Sequence, residues 1–560
     1  MALPRRHSVV MTVPRHHHDR KPCALAFTVV LALTIWLFVS PVAAINNDVE
    51  DVNSTRNKER QILIEVYNAT NGTQWIRQWG WLNSSYDHCE WEGVRCNEIT
   101  KLVVTQLHLA DNAMKGNLPH MGGLAHLSFL NLSQNELEGS MEQIGLGDMT
   151  RLQHLDLAQN DFNGTLDQLA ERSSLVFLDV RNNNFNGTIG QAFGNLTLLE
   201  HLVLAGNDFI GTLNVERLAA LRFLDISGNA NLTGSIQQSG IFNLTFLESI
   251  NLAGCHFNGT LDIGYLTLLR LLDLSSNDFS GELAVISNLT LLETLNLSKN
   301  HFVGTLPEIG ALESLKHLDL SENGNLSGSL VIGFEALSSL ESINLAGNNL
   351  TGPLGMPALE FQNLRVLDLS RNNLTGPLTI LSDLPMLQRL NLAENQFNET
   401  LPELGLFREL KYVNLSYNEL TGTIPALSGL GVLEKLDISN QLISSFDFGT
   451  GLRTTQGITG TIPVSVGQLY FLQEFVMSNN LLTGAIPEEF SRLNFLHTLH
   501  LENNRLSGMI PSSLNLIDQL VTVALARNRL SGPIPELGGS DFMIRTVTLK
   551  NNAGYVLSNV

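Results

Sequence analysis

Charge is scarce in this chain and cysteine scarcer. Asp, Glu, Lys and Arg make up 16% of the 560 residues, and there are four cysteines. Four thiols cannot staple a chain of this length, so its stability has to come from buried apolar surface. Basic residues are the rarer charge, 33 against 54 acidic. Five of the 33 (Arg5, Arg6, Arg15, Arg20 and Lys21) fall in the first 44 residues, which hold a single acid, Asp19. The remainder is strongly acidic and repels phosphate backbones, so no nucleic-acid partner is expected. Catalytic signatures are missing too. The sequence has no H-E-x-x-H, no Gly-Lys dipeptide on which a P-loop could be built, no G-x-S-x-G, and no V-A-I-K or H-R-D, so the lone triplet Asp447-Phe448-Gly449 has no kinase motif to accompany it. The reading is therefore a protein that is not an enzyme and needs no cofactor or metal.

The chain does have a targeting segment. The basic stretch to Lys21 runs into apolar residues from Ala24 to Val39 and then Ser40-Pro41-Val42-Ala43-Ala44. Val42 and Ala44 suit a signal-peptidase site, while the apolar length also suits a transmembrane signal anchor. With positive charge upstream, either reading sends residues 45–560 out of the cytoplasm, to the cell surface or the medium.

After residue 100 the sequence repeats. The unit is L-x-x-L-x-L-x-x-N, as in Leu127-Leu130-Leu132-Asn135 and Leu315-Leu318-Leu320-Asn323, and it recurs 19 times, mostly every 22 to 26 residues. L-x-L is a short strand with both leucines on one face. Stacked units predict a parallel sheet over a continuous leucine core, with the asparagine amides forming a ladder of hydrogen bonds where each strand turns. Cys255 and Gln441 take the asparagine place in two units. The second half of each unit reads L-x-G-x-I/L-P, as in Leu420-Thr421-Gly422-Thr423-Ile424-Pro425 and Leu482-Thr483-Gly484-Ala485-Ile486-Pro487. This half resembles the plant-type leucine-rich repeats of receptor-like kinases, receptor-like proteins and polygalacturonase-inhibiting proteins. The resemblance covers roughly residues 100–560 and implies an α/β repeat solenoid, a right-handed superhelix with short parallel strands on its concave face.

The residues before the repeats resemble the N-terminal cap of those families. Cys89-Glu90-Trp91-Glu92-Gly93-Val94-Arg95-Cys96 is similar to its C-x-W-x-G-V-x-C signature and follows a tryptophan cluster (Trp75, Trp79, Trp81). The resemblance implies a Cys89–Cys96 disulfide in a helical cap that shields the first leucine layer. A zinc site lacks two further ligands at suitable spacing. The expected organisation is a basic tail with signal peptide or anchor (1–44), the cap (45–106), repeats (107–441), an insertion loop (442–457), and repeats again (458–560) with an apparently uncapped end. That end suggests either a truncated chain or a covering partner.

Ligand-binding candidates come from departures in the pattern. From the turn at Asn418 to that at Asn480 the chain spends 62 residues where two units would suffice. The surplus carries Phe446, Phe448 and Arg453, on a loop of the kind that often holds recognition residues. Arg181, His201, Lys299, Tyr412 and Tyr417 replace residues that are small or acidic elsewhere in the repeat. Tyr412 and Tyr417 precede the insertion and are expected to join Phe446 and Phe448 in one aromatic patch. His154 and His317 read as solvated side chains. Asp156, Asp179, Asp225, Asp273, Asp319, Asp368 and Asp437 form an acidic ladder that reads as repeat consensus. Sequons are dense, with glycosylation candidates at Asn68, Asn83, Asn163, Asn186, Asn195, Asn231, Asn243, Asn258, Asn288, Asn349 and Asn373, and none follows Asn414. The expected function is a cell-surface or secreted receptor-like protein. It would bind a peptide, protein or carbohydrate ligand and signal through a co-receptor that carries a kinase domain, with membrane attachment if the N-terminal segment stays uncut. The alternatives are a secreted inhibitor of a wall-degrading enzyme and the truncated ectodomain of a receptor kinase.

Overall fold

The computed structural model describes residues 49–190, 193–330, 337–355, 361–379, 381, 384–447, 452–535 and 546–552. The chain divides into two compact units, residues 1–54 and 55–560. The apolar targeting segment lies outside the described residues. Among these residues no helix is long and apolar enough to cross a membrane.

The larger unit is a leucine-rich-repeat solenoid. The first leucine of each L-x-L is the middle residue of a three-residue strand, for example Phe129–Asn131, His154–Asp156 and Phe177–Asp179, and each strand pairs in parallel with the one a turn on. The described strands of this kind form one 20-stranded sheet. It opens at the cap, where Val94–Cys96 pairs antiparallel with Val104–His108. A second, 12-stranded parallel sheet is built from the segments that follow each asparagine, from Lys115–Asn117 to Asn373–Thr375. Between the sheets lie the leucines, nearly all fully buried, with Phe162, Phe185, Phe209, Phe257, Phe279, Phe302 and Phe397 filling the second-sheet side.

The cap is closed by aromatic packing. Trp75, Trp81 and Trp91 are buried, with the Trp81 ring centre 4.9 Å from each of the other two and 5.8 Å from Tyr67 on helix α1 (Val49–Ala69). Trp79 remains exposed. Cys89 and Cys96 form the disulfide. Glu59 of α1 is fully buried and its carboxylate accepts the Val104 N–H at 2.9 Å, which docks the helix on the first long strand.

Each turn is tied to its neighbours by the expected asparagine ladder. Asn300 is representative. Its Nδ2 donates to the carbonyls of Leu274 (2.9 Å) in the preceding turn and Leu297 (3.1 Å) in its own, and its Oδ1 accepts the Phe279 N–H at 3.0 Å. The amide consequently satisfies both strand-end carbonyls and the first N–H of the second sheet. Gln441 makes three corresponding bonds, reaching Ser439 in its own turn in place of the strand-end carbonyl of Ile438. Its Nε2 donates to Leu415 and Ser439 at 2.7 and 2.9 Å, and its Oε1 accepts from Leu420 N at 3.0 Å.

Cys255 has a local explanation. In most turns one residue separates the ladder asparagine from the buried apolar residue of the second-sheet strand, as in Asn277-Asp278-Phe279. At Asn229-Ala230-Asn231-Leu232 there are two. The extra residue lets Leu232 N–H donate to Asn229 O (3.0 Å) within its own turn, so the next turn needs no acceptor. Cys255 sits there, its thiol 3.6 Å from Ile226 O, and burial pushes the thiol pKa up to about 11. The same insertion at Asn323-Gly324-Asn325-Leu326 leaves Asn348 Oδ1 without a hydrogen-bond partner. The expected consequence is that Asn300→Cys costs about 1–3 kcal/mol more than Asn348→Cys, because only the first orphans a buried N–H. Denaturant unfolding of the two variants measures the difference, and equal losses would refute the explanation.

Candidate ligand-binding surface

The solvent-facing side of the 20-stranded sheet consists of two columns of side chains, contributed by the first and third residues of each strand. Its chemistry changes along the solenoid. At the N-terminal end the columns bring together a stack that no single repeat announces. The rings of His108, Phe129, His154, Phe177, His201 and Phe223 follow one another with centres 4.3, 4.1, 4.1, 5.5 and 4.3 Å apart, and most are close to parallel. All six are half-buried. The faces of Phe129 through His201 are occupied by the next ring, so solvent meets ring edges. His154 is therefore not a solvated side chain. Burial between Phe129 and Phe177, helped by the distant charges of His108 and His201, lowers its pKa to about 4. Burial likewise lowers His108 and His201. His317, by contrast, is exposed.

The third-residue column holds the aspartates, and they are structural. Asp156, Asp179, Asp225, Asp273, Asp319, Asp368 and Asp437 each accept the backbone N–H two residues on, at 2.9–3.1 Å. Several also take an amide from the adjacent strand, as Asp319 does from Asn344 (2.9 Å) and Asp368 from Asn391 (2.8 Å). The ladder therefore fixes each strand's exit instead of offering free carboxylates. Asp179 is the most buried of them, and burial raises its pKa to about 6.

Further along lies a cationic hollow lined by Arg389, Lys411, Tyr412, Lys435 and the flanking Glu434 and Glu474. The Arg389 guanidinium sits 4.4 Å from the Tyr412 ring centre, and Lys435 Nζ is 5.6 Å from it and 2.7 Å from Glu474. Cations over an aromatic face gain about 0.5–1 kcal/mol at such half-exposed sites.

The residues singled out from sequence fall in different places. His201 belongs to the ring stack and Tyr412 to the hollow. Arg181 stands beside the stack, its Nε 3.4 Å from Asp179. Lys299 and Tyr417 are not strand residues. They occupy the residue before the ladder asparagine, with φ of +55° and +54°, a left-handed turn position repeated from Gln134 to Asn551. That turn swings Tyr417 away from the strand, and it is exposed. The insertion is a hairpin instead of an open loop. Ile443–Asp447 pairs antiparallel with Leu452–Gln456, which sets Phe446 opposite Arg453 in register. Phe448 lies outside the described residues, as do the side chains of Phe446 and Arg453. Beneath the hairpin the solenoid is unbroken, for Lys435–Asp437 pairs directly with Glu474–Val476. The glycosylation candidates from Asn68 to Asn373 are all exposed. Sequence reasoning named His201, read His154 as solvated and missed the other four rings, because Phe and His alternate from repeat to repeat and look like scatter until the register aligns Phe129, His154, Phe177, His201 and Phe223.

The comparisons agree with this architecture. The leucine rich repeat N-terminal domain profile matches residues 56–97, and the leucine rich repeat profile matches residues 174–196, 291–311, 363–384, 409–430, 471–493 and 495–516. Receptor-like protein 3 of Arabidopsis thaliana is 42% identical over 60 residues, which is 10% of this chain and 8% of that protein. Among solved structures, the Arabidopsis receptor kinase HAESA ectodomain in complex with an extended IDA peptide hormone superposes with a TM-score of 0.73 at 28% identity. The match covers 89% of this chain and 86% of that one. The plant peptide hormone receptor RGFR1 in complex with RGF2 gives 0.66 at 27% identity, over 80% and 81%.

The stack makes a pH prediction. Unfolded histidine titrates near 6.5 and folded His154 near 4, so between these values the unfolded chain takes up a proton that the fold refuses, and stability falls as pH drops from about 6.5 to about 4. Asp179 works in the opposite sense from about 6 to 3.8, since the fold holds its proton more tightly. His154→Phe keeps the ring and removes the imidazole. Melting temperatures at pH 7 and pH 4.5 should fall less in the variant than in the parent, and an equal fall would count against the burial assigned to His154. Cap and repeats give the chain a leucine-rich-repeat fold, and over most of its length it is similar to the ectodomains of plant peptide hormone receptors.

Proposed function

We propose that residues 45–560 act outside the cell as the ligand-binding part of a receptor-like protein, and that the ligand is an extended peptide laid across the open face of the long sheet. The observation that carries this reading is the likeness to the HAESA ectodomain with its IDA peptide, which extends over most of both chains. The surface chemistry fits such an occupant. Ring edges and backbone-like amides suit a peptide's apolar side chains and carbonyls, and the Arg389–Tyr412–Lys435 hollow offers the cations that an acidic group on the peptide would need. A sugar would require open aromatic faces for stacking, and the interior rings of the stack have none. Tyr417, Lys299, Arg181 and the hairpin with Phe446, Phe448 and Arg453 extend the candidate surface beyond the sheet.

A second solved complex supports a partner. The HAESA–IDA structure that includes the co-receptor SERK1 matches with a TM-score of 0.69 at 28% identity. Signalling through a kinase-bearing co-receptor is the corresponding proposal here. Whether residues 1–44 are cut or anchor the chain decides between a secreted and a membrane-held form of the same function.

The test is a binding screen. Residues 45–560, secreted from eukaryotic cells, would be exposed to peptides from the extracellular fluid of the source tissue and to oligosaccharide fragments of its wall. A retained peptide is expected, and the double substitution Arg389→Ala/Tyr412→Ala should weaken it at least about tenfold, or about 1.4 kcal/mol. Retention of oligosaccharides alone, or of a microbial wall-degrading enzyme, would overturn the peptide reading, the second in favour of an inhibitor.

A further inference from the structure

On the second sheet, away from the face just described, three consecutive strands place a carboxylate between two imidazoles. His256 heads the strand His256–Gly259, Asp278 the strand Asp278–Gly281, and His301 the strand His301–Thr305. His256 Nδ1 lies 3.2 Å from Asp278 Oδ2, and His301 Nε2 lies 3.7 Å from Asp278 Oδ1. We infer that His256, Asp278 and His301 form a surface site for a borderline divalent transition metal ion of the Zn2+ or Cu2+ class.

Geometry and ligand type both carry the assignment. Zinc bonds of about 2.0–2.1 Å to nitrogen and carboxylate oxygen put tetrahedral ligand atoms about 3.3 Å apart, close to the two nitrogen–oxygen separations at Asp278, while the two imidazoles stand too far apart for all three groups to meet one ion without a swing of the rings. Two imidazoles with one carboxylate select Zn2+ or Cu2+ over Ca2+ or Mg2+, which prefer all-oxygen sites. The backbone beneath is rigid. Each ligand directly follows a ladder residue (Cys255, Asn277 and Asn300) and directly precedes a phenylalanine, Phe257, Phe279 or Phe302, that is 0–1% exposed. The three side chains are themselves largely exposed, at 62, 48 and 69%. The rings can therefore swing onto a shared ion without disturbing packing. Three protein ligands leave at least one coordination position open to water or to a group from another molecule. The two histidines come from different repeats, so an ion would clamp three successive turns together.

Calorimetric titration of the full chain with ZnCl2 tests the site. The tract His16-His17-His18 can bind zinc on its own, so the readout is the difference between the parent and the double variant His256→Ala/His301→Ala. One equivalent of zinc should disappear in the double variant. Asp278→Asn should keep the equivalent but weaken it about tenfold or more. The exposed positions leave folding intact, which an unchanged melting temperature without metal verifies. Identical stoichiometry and affinity in parent and double variant would overturn the assignment. Substituting Co2+ gives an independent reading, since a visible band lost only in the double variant supports the site and a band unchanged in that variant refutes it.

Discussion

A carbonyl at the end of a three-residue strand has no second strand residue to pair with, and in this molecule the same small amide meets that need turn after turn. The buried asparagine side chain donates to two carbonyls and accepts one N–H, so it joins its own turn, the turn before it, and the two sheets of the solenoid in one group. A leucine core alone is non-directional and would tolerate slippage between turns. The amide is directional, and a buried donor or acceptor left unmade costs about 1–3 kcal/mol. Register is therefore set by hydrogen bonding while the bulk of the stability comes from the leucines. Cys255 and Gln441 show how strict the rule is. The cysteine appears where an extra residue has removed the need for an acceptor, and glutamine supplies three corresponding bonds with one more methylene.

Most of the fold was legible in the sequence because each requirement has a fixed residue at a fixed spacing. The paired leucines, the asparagine and the L-x-G-x-I/L-P half each report one physical need, and repetition makes them visible against noise. The cap was legible for the same reason, through Trp91 between two cysteines. The second sheet was not anticipated. Its strands, such as Asn184–Thr188 and Asp208–Thr212, are held by parallel pairing between turns and carry a glycine with positive φ, a pattern that reads as a turn when a single repeat is considered. The left-handed residue before each asparagine was also hidden. Gln134, Gln159, Lys299 and Tyr417 are all L-residues that seldom adopt this conformation, and only the closure of the ladder enforces it.

The candidate surface was harder to read than the fold. Solvent-facing strand positions are free to vary, so function is written in the comparison of one turn with the next, and the sequence supplies the letters without their alignment. The charges flanking the sheet show the same property. Glu248 meets Arg222, Glu293 meets both Arg270 and Lys316, and Glu341 meets Arg365, so acid and base alternate along one edge. Each exposed pair contributes little by itself. Together they keep an acidic chain from repelling itself along its length.

The hairpin at Ile443–Gln456 leaves and rejoins the solenoid between strands that are already paired with each other. Its sequence is consequently relieved of any duty to the core. Changes there would leave the pairing of Lys435–Asp437 with Glu474–Val476 in place, whereas a change at Leu436 or Phe475, both fully buried, would open a cavity at once. A molecule built this way separates the part that must stay the same from a part that can follow a changing ligand. Diversity can accumulate in these fourteen residues while the other turns remain under the constraint of a single amide.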